Sequence, residues 1–198
     1  DIVHLHWINN GFISIEDLKD LEAPLVWTLH DMWPFTGGCH YSAGCNNWLK
    51  QCGDCPQLNR HSRNDLSKKI FSRKSESWNK LNLTVVTPRH WLSDLSGKSS
   101  LFSGFQTEVI PNGLDTAAFR PRNKYKSRQS LKLPQDKHLA LFGAMNATGD
   151  NRKGFDLLVD SLSYLPADLH NKLELAVFGN QDDKLEKQLD FKIHFLGE

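Results

Sequence analysis

Apolar residues rich in Val, Ile and Leu recur in short runs at 2–5, 25–29, 83–87, 108–110, 138–142, 173–178 and 193–196. Most are apolar on consecutive positions, the pattern of strands buried on both faces of a parallel sheet. Helical spacing fills the intervals. Segment 14–21 opens on a capping box, Ser14 with Asp17, and puts Ile15, Leu18 and Leu21 on one face. Segment 65–81 is long and basic, and 90–96 is short. Segment 154–165 aligns Phe155, Leu158, Val159, Leu162 and Leu165 on one face. Strands alternating with helices predict an α/β fold with a parallel sheet.

Composition narrows the class without naming a function. With 39% hydrophobic and 24% charged residues, the 198-residue chain has ordinary globular usage and a size that buries a core. A disordered tail, a collagen-like fibre and a disulfide-dense miniprotein are excluded. The apolar runs are too short to span a bilayer. A net charge of +1 points to no polyanionic partner in bulk. The chain opens on DIVHLH, a strand already under way, and closes on KIHFLGE, a strand running into a turn. It is expected to be a window cut from a longer protein, with exposed strand edges and without catalytic competence of its own.

Two local features stand out. Cys39, Cys45, Cys52 and Cys55 follow the spacing C-x5-C-x6-C-x2-C. Four thiolates so close can close a structural zinc site, with His40 and His61 as substitute ligands. The alternatives are one or two disulfides, or reduced uncoordinated thiols. Segment 60–80 carries Arg60, Arg63, Lys68, Lys69, Arg73, Lys74 and Lys80 against Asp65 and Glu76. With Leu66, Ile70 and Phe71 on one side it reads either as a basic amphipathic helix on an anionic membrane surface or as a solvated helix packed on its own sheet. The acid-free run 120–132 reads as a solvated linker and helix.

The longer motifs are more specific: WTLHDMWPFTGGCHY at 27–41, CGDCPQL at 52–58, VVTPRHWL at 85–92, VIPNGLD at 109–115, FRP at 119–121, LFGA at 141–144 and RKGFD at 152–156. In this order they resemble the GT4-type retaining glycosyltransferases of GT-B fold, above all those that build bacterial exopolysaccharides of the colanic-acid type. The resemblance implies two Rossmann-like domains facing across a cleft, both incomplete here. Residues 1–119 would be the later part of the acceptor-side domain, with a Cys-cluster loop at 37–58. Residues 120–198 would be the early part of the nucleotide-sugar donor domain. The family's glycine-rich loop would lie before Asp1 and its paired glutamates after Glu198.

The resemblance also assigns roles. His30, at the carboxyl end of a strand where open α/β sheets bind ligands, would face the reacting sugar. Asp31 would orient His30 or cap the next segment. Trp33, Gly37, Gly38 and Thr87 would border the acceptor, although aromatic packing or simple loop flexibility serves the first three equally. Lys153 matches the family's phosphate-binding lysine. With Arg152 and Gly154 it would hold the diphosphate at a helix N-terminus, Arg152 replacing an arginine that the family often has where Ala144 stands. Asn112 and Gly113 form a turn with Gly113 at positive φ, near the donor side of the hinge.

The expected activity is transfer of a sugar from a nucleotide-sugar donor to a glycan or lipid-linked acceptor with retention. No metal would serve the chemistry and no nucleic acid would bind. The protein would be cytoplasmic, peripheral on the inner face of the membrane. A zinc-stabilised nucleic-acid-binding module and a two-Rossmann sugar-nucleotide epimerase are the rival readings.

Overall fold

A computed structural model describes residues 1–59, 62–143, 145, 150–179 and 189–197. The chain divides into two compact units, Asp1–Leu114 and Asp115–Glu198. Both are α/β with parallel sheets, as the consecutive apolar runs predict.

In the first unit β1 (Val3–Leu5), β2 (Leu25–Thr28), β3 (Leu83–Thr87) and β4 (Gln106–Val109) pair in sequence order, all parallel. Leu5 stands beside Trp27, and Trp27 beside Val85. All carboxyl ends therefore lie along one edge. Between β1 and β2 the expected helix shrinks to one 3-10 turn, Asp17–Asp20. Ser14 Oγ does accept the Asp17 N–H at 3.2 Å, but Leu21 turns extended so that Pro24 can offer its carbonyl to the Val3 N–H.

Helix α1 (Leu66–Trp78) starts at Asp65, whose carboxylate accepts the Lys68 N–H at 3.0 Å, the Ser67 hydroxyl at 2.6 Å and the Cys55 N–H at 2.7 Å. Burial opposes ionisation of Asp65, but these donors hold its carboxyl below the usual range. α2 (His90–Lys98) joins β3 to β4. The core is a chain of rings. Trp27 meets Trp78 edge-on at 5.3 Å, Phe102 touches Trp27, Trp78 and Phe35, and Phe35 meets Trp48 at 5.7 Å.

α1 does not carry its charges as the basic pattern suggests. Phe71 is buried and Ile70 packs against the core, whereas Leu66 at the start of the helix is exposed. Arg73 pairs with Glu16 through bonds of 2.7 and 2.8 Å. Lys74 has no exposure at all. Its ammonium donates to the Trp33 carbonyl and, at 3.0 Å, to the Thr36 carbonyl, and it lies 3.7 Å from the Trp33 ring centroid. Burial pushes the Lys74 amine down to about 7, against the opposing pull of Cys52, Cys39 and Asp31. Arg60 and His61 lie outside the described residues.

In the second unit β5 (His138–Gly143), β6 (Leu173–Phe178) and β7 (Ile193–Phe195) are parallel neighbours in that order. α4 (Phe155–Ser163) buries Phe155 and Leu162 against Leu175, Val177 and Leu189. α3 (Lys124–Ser130) is largely exposed, as the basic run predicts. Its Arg128 is nevertheless spent on the carbonyls of Pro134 and Lys137, both at 2.9 Å. A short α5 (Ala167–His170), which the pattern gave no sign of, precedes β6.

The Lys74 environment has a pH signature. The folded protein releases this proton near pH 7, whereas the unfolded chain keeps it to about pH 10.4. Between these values the unfolded state binds more protons, so raising the pH favours the folded state. Denaturant titrations at pH 7 and pH 10 should show wild type gaining stability relative to Lys74→Met. Parallel pH dependences would contradict the assignment.

Candidate functional site at the carboxyl edge of the first sheet

β1 and β2 deliver a group of imidazoles to the carboxyl edge. His4 Nε2 lies 2.8 Å from Thr28 Oγ1, and His6 Nδ1 lies 3.0 Å from His30 Nε2. The His4 and His6 ring centroids are 4.4 Å apart, and the His6 and His30 rings stack at 5.3 Å. The core fixes this end from below, because Trp27 Nε1 donates to the His6 carbonyl at 2.9 Å. His6 and His30 are exposed, so the pair opens to solvent.

The adjacent residues make a second bridge. Asp31 is buried, with Oδ1 accepting the Trp33 N–H at 2.8 Å and Oδ2 lying 2.8 Å from His40 Nδ1. His40 stacks on Trp7 at 5.2 Å and 19°. Asp31 therefore caps the following turn and orients His40 rather than His30. The loop closes on itself: the Met32 N–H donates to the His40 carbonyl, and the Thr36 hydroxyl donates to the Cys39 carbonyl.

Behind this edge, still within the first unit, lies a cavity of about 300 Å³ lined by all four cysteines, Trp33, Trp48, Leu66 and Ile70 among others. None of the four cysteines is joined in a disulfide. Cys52 accepts the Gly37 N–H at 3.1 Å. Burial pushes the Cys52 thiol up to about 11 and raises Cys39 as well. Among the described residues no three His, Cys, Asp or Glu side chains are grouped to hold a metal ion. The structure thus collects the four cysteines around one cavity, and His61 lies outside the described residues.

The remaining predicted residues scatter. Trp33 is a packing residue, its ring against Lys74 and 6.2 Å from Trp78. Gly37 is small for the protein's sake: a Cβ there would lie 2.3 Å from the Ser67 carbonyl oxygen and 2.8 Å from Cys52 Cβ. Gly38 supplies φ +122°. Thr87 is fully buried, its hydroxyl bonded to the Arg89 carbonyl, so it offers no edge to a ligand. Asn112 and Gly113 are exposed, and Gly113 is not among the positive-φ residues. The order in that stretch comes instead from Asp115, which caps Ala117 and Ala118.

In the second unit Lys153 is exposed in the turn before α4, and Gly154 caps that helix at φ +76°. Arg152 is clamped by Asp150 through bonds of 2.8 and 2.6 Å. Its charge is therefore paired with Asp150 in this structure. Ala144 lies outside the described residues.

The motif reading missed His4, His6, Trp7 and Lys74. The first three had a signal, HLHW at a strand end, where alternate histidines reach the carboxyl edge. Lys74 had none, because nothing in a basic helical run marks the one lysine that turns inward.

Comparison places this architecture. No protein-family profile matches the chain. Its full length is similar to 45% of the sucrose-phosphate synthase from Thermosynechococcus elongatus, at a TM-score of 0.65 and 16% identity, and the fold is accordingly of the GT-B type with Rossmann-like domains. In sequence the chain is similar to the putative colanic acid biosynthesis glycosyl transferase WcaC of Escherichia coli K12, at 29% identity over 125 residues. That match takes in 59% of this chain but 30% of the relative, so the chain spans well under half of its length. The structural likeness agrees with the expected fold, and the sequence likeness with the resemblance to exopolysaccharide glycosyltransferases of the colanic-acid type.

Two measurements check this geometry. Gly37→Ala should lower stability by about 1–3 kcal/mol in denaturant unfolding, as overpacking does. Gly97→Ala, inside α2 with open space around it, should not destabilise. Iodoacetamide at pH 8 should label Cys52 last of the four cysteines, because its thiolate fraction and access are both small. Equal protection of all four would instead indicate a bound metal.

Proposed function

We propose that the full-length protein is a glycosyltransferase of polysaccharide biosynthesis. It moves a sugar from a nucleotide-sugar donor to a glycan or lipid-linked acceptor, with retention at the anomeric carbon. The observation that carries this reading is the His6–His30 pair on the carboxyl edge of a parallel sheet, in a chain similar to a colanic acid glycosyl transferase. His30 stands where open α/β sheets bind ligands and carries ring nitrogens suited to sugar hydroxyls.

On the donor side, Lys153 next to the N-terminus of α4 suits a diphosphate. Its charge and the helix's N-terminal N–H groups would stabilise the negative charge that develops as the nucleotide leaves. Lys153 carries this role without Arg152. The reaction so described needs no metal.

The proposed setting is the cytoplasmic face of a membrane. No described helix is long and apolar enough to cross one. Contact with anionic lipid would use exposed Lys69 and Lys80, since Lys74 is buried and Arg73 is paired. Neither rival reading gains an observation of its own among the described residues.

Lys153→Ala in the full-length protein should lower kcat/KM for the nucleotide-sugar donor by roughly tenfold or more, the scale of a lost charge-assisted contact. The measurement is nucleotide release with a panel of donors. Unchanged donor kinetics would defeat the assignment.

A further inference from the structure

Trp7 is the aromatic residue next to the imidazole pair in sequence. It is 54% exposed, yet its indole is stacked on a ring that is itself fixed. Beneath it, the His40 ring is held by buried Asp31 and the His40 carbonyl by the Met32 N–H. Trp91 is equally exposed, at 56%, but no described aromatic ring packs under it. An exposed indole backed by a clamped ring is a rigid flat face ordered before any ligand arrives.

The neighbouring imidazoles define what that face suits. The bond between His6 Nδ1 and His30 Nε2 uses one nitrogen of each ring. With both rings neutral, whichever nitrogen holds the shared proton, the outer pair, His6 Nε2 and His30 Nδ1, presents one donor and one acceptor. A hydroxyl both donates and accepts, so a vicinal diol matches that pair, whereas a phosphate oxygen only accepts. A pyranose supplies such a diol at its rim and a face of weakly positive C–H groups that suits the electron-rich indole. His6 and Trp7 are consecutive, as are His30 and Asp31, so the imidazole pair and the platform lie side by side.

We propose that Trp7, backed by His40, is the stacking platform of a saccharide subsite whose hydroxyls are addressed by His6 and His30. In the transferase reading, on which this assignment rests, the saccharide is the acceptor.

Saturation-transfer NMR of the full-length protein with the methyl glycosides of glucose, galactose and fucose tests it. At least one should give signals that fall about tenfold in Trp7→Ala, the scale of one aromatic contact. Trp7→Phe should keep most of the signal and Trp91→Ala all of it. No signal in wild type, or equal signals in wild type and Trp7→Ala, would overturn the proposal. Nucleotide release from nucleotide-sugar donors separates the two ideas. Release combined with Trp7-independent sugar signals keeps the transferase reading and sinks the platform. Trp7-dependent signals without release keep the saccharide site and sink the transferase.

Discussion

The first unit is organised around a buried lysine. Lys74 reaches from α1 to the carbonyls of Trp33 and Thr36 and lies against the Trp33 ring. Those carbonyls belong to the segment that leaves β2, so one side chain ties the helix to the loop that bears Asp31 and His40. A buried ammonium is costly unless its protons find acceptors, and the turn at Trp33–Phe35 offers them. Gly37 completes the arrangement, because only a residue without Cβ lets the loop lie on the Ser67 carbonyl.

The chemistry at the sheet edge rests on that anchoring. Parallel strands bring their carboxyl ends to one side, and the residues just beyond β1 and β2 meet there in two bridges, His6 with His30 and Trp7 with His40 and Asp31. Each bridge is supported by a buried partner: Trp27 holds the His6 carbonyl, and Asp31 holds the His40 ring. The polar site is thus set by the same core rings that stabilise the unit. In the second unit, Arg152 is paired with Asp150 through its guanidinium.

Much of the fold was legible because consecutive apolar runs have few alternatives. The strands at 83–87 and 173–178 match their expected limits, and Asp65 starts α1 because a side chain that accepts N–H bonds belongs at that position. The site was legible only in part. His30 was visible through its motif, but its partner His6 follows another strand, and the pairing of β1 with β2 brings the two together. Thr87 and Gly113 looked like site residues because strand ends and Asn-Gly pairs often are. One proved buried and the other lacks the left-handed backbone that the turn required.

Sequence alone determined the α/β class, the parallel strands and the likeness of the long motif to glycosyltransferases, because those depend on local periodicity and on residues close along the chain. Tertiary structure decided which lysine of a basic helix turns inward, which residue Asp31 orients, and that the four cysteines line one shared cavity. Each of these depends on distances between segments far apart in sequence. Burial and pairing at those distances, not residue type, set whether a charge is free to act.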